Sequence, residues 1–121
     1  MNVNSPIKYL SEEQKCVFKI RKGFIILKLE EIFAVESFGA YSKSFTTDQE
    51  SYVLNLSLKL CQEEVKSNSF LRVHDSHIIN VNYVKQFENN GGEGIVTLIN
   101  GETYKVSRSK KKELFKLLGV E

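Results

Sequence analysis

Residues 70–80 read FLRVHDSHIIN, and the reading of this stretch decides how the chain is organised. Residues 70–73 are β formers and read as a short strand, and 78–81 read as a buried apolar step. Between them His74, Asp75, Ser76 and His77 interrupt the β pattern with clustered polar side chains. A second irregularity of the same kind stands near the end, at Val106-Ser107-Arg108-Ser109-Lys110-Lys111-Lys112. Each break follows a strand, so the polar clusters punctuate a β framework.

The rest of that framework can be followed outward in both directions. Strands are expected at 16–21, 24–29, 32–38, 41–47 and 52–54, with turns at Lys22-Gly23, Gly39 and Asp48-Gln49-Glu50. Within 32–38, Phe33 and Val35 face one way and Ile32 and Ala34 the other, which predicts burial on both sides. A first helix is expected over 58–66, capped by Asn55 or Ser57 and ended by Ser67-Asn68-Ser69, because Leu58, Cys61 and Val65 recur on one stripe. After the 70–80 stretch come a strand at 83–87, a loose glycine-containing surface loop at 89–94, and strands at 95–99 and 102–106. Asn100-Gly101 between the last two is a strong hairpin signal of the type I′ kind. A closing helix is expected over 109–118, burying Leu114, Leu117 and Leu118 and stopping at Gly119. Residues 1–14 are polar, hold the sole proline, Pro6, and read as a tail or linker, leaving 15–121 as one domain. About nine short strands and two helices do not alternate as a βαβ pattern would.

Bulk properties narrow the function classes. A chain of 121 residues, 41% hydrophobic and 26% charged, is long enough for one core and ordinary for a globular domain. It has no apolar run near the roughly 20 residues that cross a bilayer, and residues 1–13 lack the apolar segment of a signal peptide, so a cytoplasmic location without membrane contact is expected. Cys16 and Cys61 make neither a disulfide framework nor a CxxC zinc pair and read as small buried hydrophobes. The net charge of +2 conceals an asymmetry: six basic residues follow position 104 against Glu113 and Glu121. Such a local excess is an electrostatic footprint for an anionic partner, or else a solvated lysine face.

The ordered set Phe70, Arg72, Val73, His74, Ser76, Ile78, Ile79 and Asn80, followed at a hairpin's distance by Val106, Ser107 and Arg108, resembles the LytTR family of bacterial DNA-binding domains. A third segment, Glu36-Ser37-Phe38-Gly39-Ala40-Tyr41, is similar to that family's E-S-x-G-x-Y stretch. The resemblance spans residues 16–118, nearly the whole chain. It implies a mainly β fold of small antiparallel sheets stacked side by side, with one mid-chain helix and a short C-terminal helix. It implies recognition by loops entering the major groove of double-stranded DNA, where the common readers use a helix. It further implies a transcription regulator or the output domain of a two-component response regulator, two copies on direct-repeat sites, and a sensor or receiver domain missing from this chain. No cofactor is expected.

Several side chains then acquire candidate roles. Arg108 can donate two parallel bonds to guanine O6 and N7, and the resemblance implies such a base contact; otherwise it is an exposed arginine paired with an acid. Asp75 stands where relatives often carry a basic or amide side chain; it repels phosphate but can accept from cytosine N4. Tyr41 and Ser42 are expected to touch base edges, unless they simply end an exposed strand. Phosphate contacts are expected from Lys43, Arg72, Ser76, Ser107, Ser109, Lys110, Lys111 and Lys112. The three lysines open the last helix, where its dipole disfavours cations by roughly 0.3–1 kcal/mol each, a cost that a bound phosphate would reverse. His74 and Asn80 are expected to orient the loop. His77 replaces the usual aromatic and receives no role. HxxH alone lacks further ligands for a metal, and with both histidines in one short loop no nucleophile–base arrangement emerges, so enzymes drop out. The remaining rival is a protein-interaction module of the same fold that has lost DNA binding, Asp75 being its first sign.

Overall fold

The computed structural model describes residues 15–65 and 69–120; the expected tail and the expected helix end at Ser67-Asn68 lie outside the described residues. Strands β1 (Lys15–Ile20) and β2 (Gly23–Lys28) make a two-stranded hairpin. Strands β3 (Ile32–Phe38), β4 (Tyr41–Thr46), β5 (Ser51–Leu54), β6 (Phe70–His74) and β7 (His77–Asn80) form a five-stranded sheet in the order β5-β4-β3-β7-β6. Strands β8 (Val84–Asn90), β9 (Glu93–Leu98) and β10 (Thr103–Val106) form a third sheet in the order β10-β9-β8. Every pairing is antiparallel. Two helices, α1 (Leu58–Val65) and α2 (Lys111–Leu118), and short 3-10 turns at Leu29–Glu31, Val81–Tyr83 and Arg108–Lys110 complete the described chain.

The five-stranded sheet is the middle layer, and both of its faces are covered. On one side Ile32, Val35, Leu54, Phe70 and Ile78 pack with Leu58, Cys61 and Val65 of α1 and with Cys16, Phe18 and Leu27 of the β1–β2 hairpin. On the other, Phe33, Ala34, Leu71, Val73 and Ile79 pack with Val96, Leu98, Tyr104 and Val106 of the third sheet and Leu114 of α2. Each fully buried aliphatic side chain is worth about 1.5–3 kcal/mol, so this sandwich carries the fold.

The two-sided burial expected of β3 is present, with a twist that alternation alone does not predict. Its pairing with β4 shifts between Ile32↔Thr46 and Ala34↔Phe45, leaving Phe33 as the extra residue of a bulge. Ile32 and Val35 therefore enter one core while the adjacent Phe33 and Ala34 enter the other. Helix α1 opens where Ser57 Oγ accepts from the Leu60 backbone N–H at 3.3 Å, which selects Ser57 over Asn55 as the cap. Both cysteines are buried, and Cys16 is pushed up to about 11 by burial first and by Glu64 and Cys61 next.

Four expectations need correction. The described strands number ten rather than nine. Residues 89–94 are no loose loop: β8 runs to Asn90, β9 starts at Glu93, and Gly94 is buried beneath the Phe87 ring. The Asn100-Gly101 pair does join two strands, but not through a type I′ turn. Only Gly101 has positive φ (+91°), its N–H donates to Leu98 O at 2.9 Å, and Leu98 N–H donates to Glu102 O at 2.9 Å. That is a type I turn closed by a glycine bulge. In α2 only Leu114 is fully buried; Leu117 and Leu118 pack partly exposed against the second core. The helix begins at Lys111, after a 3-10 turn over 108–110, and Gly119 ends it.

Candidate functional site

Three loops meet at one end of the five-stranded sheet. In the ladder Glu36 faces His77, and just beyond it the Ser37 N–H donates to Ser76 O at 2.9 Å, so the β3–β4 hairpin lies beside the β6–β7 turn. The Ser107 N–H donates to Val73 O at 2.8 Å, which ties the β10–α2 connection to the other side of that turn. All the sequence-derived candidates except Asn80 belong to these loops or to the strand and helix ends beside them.

The β6–β7 turn is held from within. The Arg72 guanidinium donates to Asp75 O at 2.6 Å, and the Ser76 N–H donates to His74 Nδ1 at 3.2 Å. His74 is thus fixed as an acceptor at Nδ1 and orients the turn, while the Asp75 side chain is exposed. Arg72, His74, Asp75, Ser107, Ser109 and Lys110 line one shallow depression, together with Gln62 from α1. Gln62 carries no sequence signal beyond being polar; its place follows only from the packing of α1.

Tyr41 is 47% exposed on the β3–β4 hairpin. Lys43 lies apart from the lysines of α2. It sits on β4, two positions along the sheet from β7, with its ammonium 5.4 Å from the Phe38 ring centre and 5.8 Å from that of Phe45. Ser42 corrects the sequence reading. It is 0% exposed, donates from Oγ to Leu56 O at 2.9 Å and lies 2.9 Å from Cys61 Sγ, so it packs β4 onto α1 and cannot meet an outside partner. Asn80 needs correction as well, because it orients a different corner. Its amide donates to Ile32 O at 3.1 Å and Leu29 O at 3.4 Å, and its oxygen accepts from Asn82 N–H at 3.0 Å.

At the start of α2 no side chain caps the helix. Lys110 reaches Glu113 at 3.8 Å across an exposed i,i+3 spacing, a weak pair worth little in water. A fourth loop, missed in the sequence, adjoins this corner. Lys111 Nζ donates to Asn89 Oδ1 at 2.9 Å, and the Arg108 guanidinium lies against Gly92 in the β8–β9 turn. The paired glycines were visible, but reading them as loose connection hid their use. Among the described residues no carboxylate pairs with Arg108.

Beneath the loops lies a half-buried ionisable layer. His77 packs edge-on against Tyr104, ring centres 5.1 Å apart, and 5.5 Å from His74. Its Nδ1 is buried without a partner. Burial, then His74, hold its imidazole below the usual range. Burial and then Glu102 hold the Glu36 carboxyl above the usual range, against the pull of Lys43 and of the Tyr104 hydroxyl. Among the described residues no group of three or more His, Cys, Asp or Glu could hold a metal ion, and no helix is long and apolar enough to cross a membrane.

A family profile described as the LytTr DNA-binding domain matches residues 22–119. The heme-containing CO-sensing transcriptional regulator RcoM 1 of Paraburkholderia xenovorans is 33% identical over 110 residues, covering 86% of this chain and 41% of that protein. The sensory transduction protein LytT of Bacillus anthracis is 29% identical over 114 residues, covering 91% of this chain and 45% of its own. The chain therefore spans less than half the length of these relatives. A solved LytTr DNA-binding domain from Bacillus cereus superimposes with a TM-score of 0.73 at 24% identity, covering 88% of this chain and 97% of that one, which shows the shared fold.

Proposed function

The chain belongs to the LytTr DNA-binding domain family, and on that premise we propose that it reads double-stranded DNA by inserting the loops at one end of its central sheet into the major groove. The family is one of DNA-binding domains rather than enzymes, and one relative, RcoM 1, is a transcriptional regulator. In the proposed complex Arg108 donates a bidentate pair to guanine, Asp75 accepts from cytosine N4, and Tyr41 touches a base edge from the neighbouring hairpin. Ser76, Ser107, Ser109, Lys110, Lys111 and Lys112 take phosphates and fix the register. Arg72 and His74 hold the β6–β7 turn in shape, and Lys43 reaches a phosphate only by leaving its aromatic seat.

The observation that carries this reading is the convergence of the three loops, locked by the backbone bonds Ser37→Ser76 and Ser107→Val73. Backbone ties make the loops a rigid surface, so little ordering entropy is lost on binding. Relatives named for sensing are more than twice as long as the matched segment. That supports an output role under a separate sensor or receiver; a cytoplasmic location and two copies on a direct-repeat site are part of the same proposal.

Selection of bound duplexes from a random pool tests the proposal. A consensus should emerge, bound on the order of 10³-fold or more tighter than scrambled DNA at physiological salt. A pool that never enriches would favour a protein-interaction module that has abandoned DNA.

A further inference from the structure

We infer that the β8–β9 turn is a seat that pre-orients the basic side chains of the adjoining corner, with Gly92 positioning Arg108 and Asn89 positioning Lys111. The inference deepens the proposed function and rests on it for its effect on DNA. Gly91 has φ of +68°, so its glycine answers a backbone need. Gly92 does not share that conformation, so its backbone would accept other residues. What it lacks is room. A methyl group there would stand 1.8 Å from an Arg108 Nη, 2.6 Å from Cζ and 2.7 Å from Nε, so the guanidinium covers the bare backbone. One turn away Asn89 Oδ1 accepts from Lys111 Nζ at 2.9 Å. Two unrelated contacts from one hairpin thus hold two cations of the corner.

An exposed arginine loses rotamer freedom when a base edge captures it, whereas a seated one has already lost part of it. The seat also sets the plane of the fork, and a bidentate contact depends on that plane. The clash created by Gly92→Ala falls on the far end of a flexible side chain. The arginine can swing away at small cost to the fold, and its orientation is lost.

The test uses the whole chain, a duplex recovered by selection and its single-base variants, with Gly92→Ala, Arg108→Ala and the double variant. Gly92→Ala should keep the unfolding midpoint, weaken binding about three- to tenfold, and blunt discrimination at the base pair that Arg108→Ala blunts. In the Arg108→Ala background it should add nothing. Asn89→Ala should weaken all sequences alike. Equal losses from Gly92→Ala in both backgrounds would overturn the inference, as would no loss in the parent while Arg108→Ala has its full effect. Nitrogen-15 relaxation of the Arg108 Nε–H in the free protein reads the seat without DNA. It should be ordered in the parent and mobile in Gly92→Ala; a mobile side chain in the parent overturns the seat. If it is ordered yet Arg108→Ala leaves DNA binding intact, the seat stands and the base-reading role falls.

Discussion

The backbone N–H of Ser107 donates to the carbonyl oxygen of Val73 across 2.8 Å, although Val73 lies in the five-stranded sheet and Ser107 follows the last strand of the three-stranded one. This bond joins the end of β10 to the end of β6, where the irregular turn begins. Because Val73 and Val106 are both fully buried, it forms beside a dry core and little water competes for it. The loop that carries Arg108 is thus placed by main chain, independent of its own side chains.

Ser107 has φ of −62°, which suits proline. Ser107→Pro should keep the local conformation while removing the bond. Leaving the Val73 carbonyl unpaired costs about 1–3 kcal/mol, and the stiffer unfolded chain returns roughly 0.4–1 kcal/mol. Relative to Ser107→Ala, which loses only the hydroxyl, the proline variant should unfold at lower urea and bind DNA more weakly. Equal behaviour of the two variants would show that the bond does not place the loop.

Ser42→Ala should lower stability by about 1 kcal/mol, because Leu56 O loses its donor at a part-buried site. Affinity and specificity for DNA should not change. Urea unfolding paired with binding titrations separates the two; a variant of normal stability and altered base preference would restore Ser42 to the contact surface.

Ser42 also marks where the sequence stopped being legible. In β4 the hydroxyls of Ser42, Ser44 and Thr46 alternate inward, toward α1 and β5, so polarity pointed the wrong way. Their partners, Leu56 O, Tyr52 O and Glu50 O, are distant or turn carbonyls that no local pattern reveals. The Phe33 bulge was hidden likewise, since an apolar run looks the same with or without a shifted register. By contrast the ends of elements were readable: a cap at Asn55 or Ser57, of which the fold uses Ser57, Gly119 as stop, the hairpin at Asn100-Gly101, and Leu58, Cys61 and Val65 as the buried stripe of α1. Those signals act within one turn of chain. The seat beneath Arg108 joins residues sixteen apart, and only the folded hairpin brings Gly92 there.

Acidification should destabilise the domain through His77. Its folded-state proton affinity lies below the ordinary His pKa of about 6.5, because burial and His74 disfavour the charge. The unfolded chain therefore binds the proton first as pH falls. The His77 contribution is whole above about pH 6.5 and drains away below it, until the folded imidazole also protonates. Glu36 works the other way: its raised carboxyl contributes at acid pH and is lost as pH climbs through the window above the ordinary Glu value of about 4.3. His77→Phe retains a ring against Tyr104 and should flatten the decline in urea midpoint from about pH 7 to pH 5.5. A decline as steep in the variant would assign it elsewhere.

Binding should be strongly dependent on salt. If one domain neutralises about four to six phosphates, log K against log salt should fall with a slope of about −4 to −5. Lys111→Ala should make that slope shallower by about one. A slope near zero in the parent would mean that the lysine corner meets no phosphates.

The central claim, that Arg108 reads a base while the lysines beside it only position the domain, is tested most directly by one binding panel. Parent, Arg108→Ala and Lys112→Ala chains are titrated against a selected duplex and all its single-base variants at one salt concentration. Arg108→Ala should lose about 1–3 kcal/mol on the selected duplex and lose discrimination at one base pair, where a guanine contact has gone. Lys112→Ala should weaken every duplex by the same factor. A uniform loss from Arg108→Ala, with discrimination preserved at every position, would contradict the account and make Arg108 a backbone clamp.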